Sequence, residues 1–151
     1  MNYLEIIFWI LLGIIFYTYL GYGIVLFIMV KIKRIFKKKP VFELTEEDLP
    51  SITLLIPAYN EKDYVAKKIE NSLNLNYPKD KLKIAWVTDG SNDGTNKLIE
   101  QYEGIGLFHK DERKGKINAM NRVMPFVDTP IVVFSDANTN LGEDSIMHIA
   151  N

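Results

Sequence analysis

The 151-residue sequence contains no cysteine, and this absence excludes several classes of chemistry. Without cysteine the chain has no disulfide framework, no thiolate nucleophile and no zinc site built from thiolates. Histidine is also scarce, with two residues in the chain. His109 ends a predicted strand and His148 lies in the last predicted helix, so neither indicates a function. The lack of cysteine fits a protein of a reducing compartment.

Charge is absent from residues 6–30, an apolar run at the start of the chain. A helix of this length is about 37 Å long, against roughly 30 Å for the hydrocarbon core of a bilayer. The run therefore predicts a transmembrane helix. The alternatives are a signal peptide, which has a basic start and a shorter apolar run, and a buried core helix. Tyrosines and glycines in the run indicate helix–helix packing, although both are also ordinary in membrane helices.

Positive charge is concentrated directly after the apolar run. The first 39 residues hold six of the 18 Lys and Arg and a single acidic residue, Glu5, so the other 112 residues hold 12 basic and 18 acidic side chains. The basic flank predicts a single-pass plasma-membrane protein with its N-terminus outside and its C-terminal domain in the cytoplasm. The acidic domain argues against a nucleic-acid partner. The predicted boundaries are 1–36 for the membrane segment and its flank, 37–50 for a linker, and 51–151 for the domain.

Apolar runs alternate with helical patterns from residue 51 onwards. This alternation predicts βαβ units, and hence an α/β fold with a mainly parallel, Rossmann-like sheet. Pro57 is expected to end the first strand, and Trp86 to lie in the core. The predicted strands are 52–56, 82–87, 106–109 and 131–135, and the predicted helices are 64–75, 96–102, 117–127 and one that starts near Glu143.

Polar residues follow each predicted strand. Because the carboxyl ends of parallel strands meet at one edge of a sheet, these loops can converge on one ligand. Asp136 and Asn138 offer two oxygen-bearing side chains that suit Mg²⁺ or Mn²⁺. Gly115 lies between two lysines at a helix start, a pattern that suits a diphosphate. Each loop also has a plain alternative, since Asp136 or the residues after Asp89 can cap turns and the basic run can be a solvated loop.

Four motifs in this order resemble those of family 2 inverting glycosyltransferases of the GT-A fold. Among them, the membrane-bound processive synthases of hyaluronan, chitin, cellulose and poly-N-acetylglucosamine are nearest in layout. The resemblance implies that the domain is the nucleotide-binding half of a GT-A domain. It rests on Ile-Pro-Ala-Tyr-Asn-Glu at 56–61, Thr-Asp-Gly-Ser-Asn-Asp-Gly-Thr at 88–95, Arg-Lys-Gly-Lys at 113–116 with Asn118 and Asn121, and Phe-Ser-Asp-Ala-Asn-Thr at 134–139.

The resemblance also implies a function and a site. The family transfers a sugar, with inversion, from a nucleotide donor, here expected to be a UDP-sugar, to a polysaccharide or lipid-linked acceptor at the membrane. Asp136 and Asn138 match the family's metal motif, with Mg²⁺ or Mn²⁺ as the expected cofactor. Other membrane subunits are further expected partners. The residues implied for the donor nucleotide are Pro57, Tyr59, Glu61, Asp89, Arg113, Lys116 and Asp136.

Two departures from the family pattern affect this interpretation. Asn138 stands where the family has a second aspartate, so one ligand charge is missing. The family's general base and its Gln-x-x-Arg-Trp motif do not follow Asn138, and Glu143 and Asp144 do not lie in the expected context for a base. The sequence is therefore expected to be the N-terminal, donor-binding part of an enzyme. The alternative is a catalytically incomplete remnant, or a non-enzymatic partner of a full-length synthase, that at most binds nucleotide.

Overall fold

The computed structural model describes residues 2–36 and 45–151, which belong to two compact units, Met1–Phe42 and Glu43–Asn151. Most of the predicted linker, residues 37–44, lies outside the described residues, and so do the last three lysines of the predicted basic flank. The linker and the domain boundaries therefore stay predictions.

The first unit is a helical rod. Helix α1 (Tyr3–Phe16) continues through a π-helical turn (Tyr17–Gly21) into α2 (Tyr22–Phe36). In the π-helical turn the Thr18 hydroxyl donates to the Ile14 carbonyl at 2.8 Å, a local bond that accompanies the wider turn. Within the described residues, Tyr3–Arg34 is the one stretch of helix long and apolar enough to cross a membrane.

The second unit is built on a four-stranded parallel sheet. The strands are β1 (Ile52–Ala58), β2 (Leu82–Asp89), β3 (Ile105–Lys110) and β4 (Ile131–Phe134), in the order β3-β2-β1-β4. All three strand pairs are parallel, which confirms the predicted α/β class. The strand order reverses between β1 and β4, the position at which open α/β sheets form a ligand crevice.

Helices cover both faces of the sheet and bury its apolar side chains. The helices are α3 (Lys62–Leu73), α4 (Thr95–Ile99), α5 (Lys116–Val123) and α6 (Ser145–Ala150), with a 3-10 turn at Met124–Phe126. Helices α3, α4 and α6 contribute apolar residues to the larger core, which contains Trp86 as predicted. Helix α5 covers the other face, where Ala119 and Val123 pack with Leu55 and Val87. Successive β1 side chains thus pack into cores on opposite faces of the sheet, because side chains alternate along a strand.

Several sequence expectations about individual positions were wrong. Pro57 does not end β1, which runs to Ala58. Proline cannot donate a backbone hydrogen bond, but β4 pairs only with residues 52–55, so Pro57 lies beyond that pairing. Ile117 and Met124 were expected to face inward, yet they are 74% and 40% exposed. Helix α5 ends at Val123, before Pro125, so Met124 lies in a tighter turn whose direction differs. The helix expected to run to residue 102 ends at Ile99.

Candidate functional site

A cleft of about 330 Å³ opens at the carboxyl edge of the sheet. Its walls come from the loops that follow all four strands, as the parallel pairing requires. The sheet therefore brings together every side chain that the sequence singled out for the site. The predicted residues that line the cleft are Pro57, Tyr59, Glu61, Asp89, Arg113, Lys116, Asp136 and Asn138. Their individual roles in binding stay predictions.

The loop after β1 is tied to the loop after β2 by a set of hydrogen bonds. Asn60 has a left-handed backbone with φ of 52°, a conformation that asparagine tolerates better than most residues. Its backbone N–H donates to Ser91 Oγ at 3.2 Å, and its side chain exchanges bonds of 3.1 and 2.9 Å with Asn92. The Glu61 N–H donates to Thr95 Oγ1 at 3.0 Å. These contacts fix the backbone on both sides of Tyr59 and Glu61.

Asp89 connects this braced wall to the basic loop opposite. The side chain is buried, and its Oδ2 accepts the backbone N–H groups of Lys114 and Gly115, both at 2.7 Å. Its Oδ1 is also buried, and among the described residues it has no hydrogen-bond partner, with Arg122 Nη1 4.0 Å away. Gly90 allows the basic loop to come this close to the end of β2, because a Cβ at residue 90 would lie 2.8 Å from the Cβ of Arg113. Asp89 therefore has one oxygen that holds the loop and one whose nearest charged neighbour is Arg122.

The opposite wall carries exposed charges. Lys116 is the first residue of α5 and forms an ion pair with Asp136, and the two side chains are 57% and 53% exposed. The Arg113 guanidinium lies 3.7 Å from the centroid of the Tyr59 ring, a cation–π contact. Gly115 has a φ of 92°, so the chain turns sharply into α5 and its amino end lies at the cleft. Cations and a helix amino end together favour an anionic ligand.

Lys68 lies beneath the segment that carries Asp136, and the sequence analysis missed it. The side chain is 1% exposed, and its ammonium donates to Ser135 Oγ at 2.7 Å and to the Thr139 carbonyl at 2.8 Å. Burial lowers the pKa of Lys68, and the nearby Asp136 carboxylate offsets part of that shift. The sequence held a signal for it: Lys68 falls on the buried face of α3, in the stripe that Val65, Ile69 and Ser72 share at helical spacing.

The predicted metal ligands, Asp136 and Asn138, line the cleft on the loop after β4. Within residues 2–36 and 45–151, no group of three or more His, Cys, Asp and Glu side chains gathers in a way that could hold a metal alone. Two hard oxygen side chains suit Mg²⁺ or Mn²⁺, ions that commonly complete their coordination with phosphate oxygens and water. The donor set therefore fits a metal that is shared with a phosphate ligand.

Comparison with known families decides the class of the protein. A model of glycosyl transferase family 2 matches residues 53–148, which include all of the sheet except its first residue, Ile52. The chain belongs to glycosyl transferase family 2. The predicted family resemblance is thereby confirmed.

Relatives in this family include polysaccharide and glycolipid synthases. The chain is 31% identical over 118 residues to a poly-β-1,6-N-acetyl-D-glucosamine synthase of Staphylococcus aureus strain MSSA476, covering 76% of this chain and 28% of the relative. It is 28% identical over 107 residues to a β-monoglucosyldiacylglycerol synthase of Trichormus variabilis, covering 67% of this chain and 23% of the relative. The chain thus spans about a quarter of the length of these curated relatives.

Solved structures of two other proteins share the fold. The mannosyltransferase PcManGT of Pyrobaculum calidifontis, in complex with GDP-Man and Mn²⁺, aligns with a TM-score of 0.66 and 28% identity over 86% of this chain and 40% of that chain. TarS 1-349 of S. aureus, in complex with UDP-GlcNAc, aligns with a TM-score of 0.60 and 19% identity over 66% of this chain and 30% of that chain. At this lower identity, TarS supports the fold alone.

Proposed function

We propose that this chain is the donor-binding part of a membrane-anchored glycosyltransferase. It binds a UDP-sugar with a divalent metal, and the whole enzyme transfers the sugar with inversion to a polysaccharide or lipid-linked acceptor. One observation carries the proposal: a single cleft gathers a buried carboxyl group, an aromatic ring, two cations and two further oxygen-bearing side chains from four strand ends. These are the groups that a nucleotide diphosphate and its metal require.

The braced wall would hold the nucleoside. Asp89 Oδ1 is buried and has no hydrogen-bond partner in the described part of the chain, and a buried carboxylate oxygen is stabilised by any N–H or O–H group that a ligand brings to it. A base or ribose donor would supply that bond. The Tyr59 ring, 39% exposed, offers a flat surface for a base, while Pro57 and Glu61 line the same side. Because hydrogen bonds fix this loop before any ligand arrives, little ordering is needed on binding.

The basic wall would hold the diphosphate. Lys116 stands at the amino end of α5, where the helix dipole and the ammonium both favour an anion. The Lys116–Asp136 ion pair is half exposed, so water screens it and a ligand can replace it at little cost. Arg113, now stacked on Tyr59, lies on the same wall and would meet the diphosphate as well.

Asp136 and Asn138 would hold the metal. When Lys116 moves to the diphosphate, the Asp136 carboxylate is freed to act as a ligand beside the Asn138 carbonyl oxygen. The bound metal would neutralise charge on the leaving diphosphate. The structural neighbour PcManGT, solved in complex with GDP-Man and Mn²⁺, supports a divalent metal together with a nucleotide sugar.

Anchoring of the domain to a membrane and the class of sugar acceptor are part of the same proposal. Helix Tyr3–Arg34 is long enough to place the domain at a membrane, and its basic end supports a cytoplasmic location for the domain. Inversion requires a carboxylate that removes a proton from the acceptor hydroxyl. We assign no residue of this chain to that role. The names of the synthase relatives give a polysaccharide and a glycolipid as their products, which supports these two acceptor classes.

Calorimetric titration of the full chain in detergent tests the proposal. UDP is titrated with and without Mn²⁺, with GDP as a parallel ligand. Asp136→Ala removes the proposed metal ligand, and Asp63→Ala is the matched control because Asp63 is an exposed carboxylate on α3 outside the cleft. We expect UDP to bind more tightly with Mn²⁺, and Asp136→Ala alone to abolish that gain.

The outcomes separate the parts of the proposal. Tighter binding of GDP than UDP would overturn the choice of nucleotide while leaving the site in place. An undiminished Mn²⁺ effect in Asp136→Ala would overturn the assignment of the metal ligand. Absence of binding to a cooperatively folded wild-type chain would overturn the donor-binding function itself.

A further inference from the structure

A buried ammonium group supports the metal-binding segment from below. Lys68 reaches from α3 to Ser135 Oγ and to the Thr139 carbonyl, the residues on either side of 136–138. Burying an ammonium without partners is costly, so this side chain stays inside only while both acceptors are in place. The two acceptors are therefore held at a set distance from α3.

Further hydrogen bonds close the segment around the ammonium. The Thr139 hydroxyl donates to the Asp136 carbonyl at 2.9 Å, and the Thr139 N–H reaches the same oxygen at 3.3 Å. The hydroxyls of Ser135 and Thr139 lie 3.2 Å apart. Lys68 thus joins a small network that sets the conformation of the Asp136–Asn138 backbone.

The same face of α3 also holds the chain beyond this turn. Asn71, three residues after Lys68, exchanges two hydrogen bonds with the backbone of Leu141, at 2.8 and 2.9 Å. Segment 135–141 is therefore tied to α3 at both ends. All of these bonds involve backbone groups or the side chains of Ser135 and Thr139, so the side chains of Asp136 and Asn138 remain directed to the cleft.

We propose that Lys68 is a positioning residue for donor binding, which fixes the 135–139 turn so that Asp136 and Asn138 meet the metal in a set geometry. The inference rests on the donor-binding function proposed above. Lys68 does not line the cleft, so it acts through the turn and through its positive charge close to Asp136. Groups that orient metal ligands in this indirect way typically change metal affinity about 10- to 100-fold when they are removed.

The test compares the full chain with Lys68→Met, which keeps a long unbranched side chain but loses the charge and the donor. Ser72→Ala is the matched control: Ser72 is buried on the same helix, and its hydroxyl donates only to the Lys68 carbonyl, at 2.7 Å. Amide hydrogen exchange of residues 136–141 is measured without ligand. UDP affinity is measured with and without Mn²⁺, together with the electron paramagnetic resonance signal of bound Mn²⁺.

We expect Lys68→Met to speed exchange in 136–141 about tenfold or more, and to reduce the Mn²⁺-dependent gain in UDP affinity about 10- to 100-fold. Ser72→Ala should leave both readouts unchanged even where it lowers the melting temperature. Unchanged exchange and an unchanged Mn²⁺ effect in a folded Lys68→Met chain would overturn the proposal. So would equal losses in both variants, because that pattern describes general destabilisation.

Two further outcomes remain decisive. If Lys68→Met does not fold, Ser135→Ala removes one of the two acceptors without changing charge; smaller losses in the same readouts support the proposal, and none overturns it. If the wild-type chain binds neither UDP nor GDP, the donor-binding function fails, and amide exchange alone then decides whether Lys68 holds the turn.

Discussion

The two walls of the cleft are stabilised in different ways. In the braced wall, backbone and side-chain hydrogen bonds between the loops after β1 and β2 fix the chain around Asn60 and Ser91. In the basic wall, Asp89 and Lys68 hold the backbone, but the charged side chains meet in exposed ion pairs, such as Lys116 with Asp136 and Lys114 with Glu112. Water screens such pairs, and they contribute little to stability. One wall is therefore a preformed template, and the other is a set of charges that a ligand can rearrange.

Asp89 is the point at which the two walls meet, and its removal should have the largest effect on stability. Asp89→Ala leaves the N–H groups of Lys114 and Gly115 without their acceptor. Because bonds to a charged acceptor are strong, we expect the free energy of unfolding to fall by about 3 kcal/mol. Denaturant unfolding of the full chain measures this. Asp89→Asn is the control, since it keeps one acceptor oxygen for the loop, and it should cost roughly half as much.

A loss below about 1 kcal/mol in Asp89→Ala would contradict this assignment, since it is the size expected of a single neutral hydrogen bond. It would mean that contacts other than those with Asp89 hold the backbone of the basic loop.

The carboxyl group of Asp93, in the loop after β2, tests the braced wall through the pH dependence of stability. Burial raises the pKa of this carboxyl, but hydrogen bonds from the Thr95 hydroxyl and from the backbone N–H groups of Thr95 and Lys62 outweigh it, so the pKa lies below its ordinary value. The unfolded chain therefore takes up the proton first as pH falls. The stabilisation is complete above about pH 4 and disappears as pH drops through the folded pKa. Asp93→Asn should lower the melting temperature at pH 7 by about 4 °C.

The difference in melting temperature between wild type and Asp93→Asn should shrink as pH is lowered from 5 to 2.5. A difference that stays constant over this range would show that the Asp93 charge does not stabilise the wall. Asp63→Asn, an exposed acid in the first turn of α3, serves as the control for general charge effects.

Lys116 should show the smallest effect on stability together with a clear effect on binding. Its ion pair is exposed, so Lys116→Met should change the free energy of unfolding by less than about 1 kcal/mol. Loss of a charged donor to the diphosphate should weaken UDP binding about tenfold or more. Lys114→Met is the matched control, because Lys114 pairs with Glu112 and does not line the cleft. Equal weakening in both variants would show that overall charge, and not the position of Lys116, governs binding.

The sequence predicted the strands well because apolar runs between turn residues leave few alternatives. It failed where a neighbouring element decides the outcome. Pro57 looks like the end of a strand, yet β1 continues to Ala58 alongside β2. The proline is tolerated because β4 stops pairing with β1 at Leu55. Ile117 fits an inward helical position but is exposed, because Ala119 and Val123 provide the face of α5 that meets the sheet.

The sequence by itself determined that polar loops would follow parallel strands and meet at one edge, and the family resemblance named the eight side chains expected in the cleft. Strand direction alone makes those ends neighbours. Only the tertiary structure decided which groups pair with each other in and beneath the cleft. Lys68 with Ser135, Asp89 with the loop at Lys114, and Lys116 with Asp136 join residues that are 67, 25 and 20 positions apart. Such pairs depend on how helices settle on the sheet, and local patterns of residues do not carry that information.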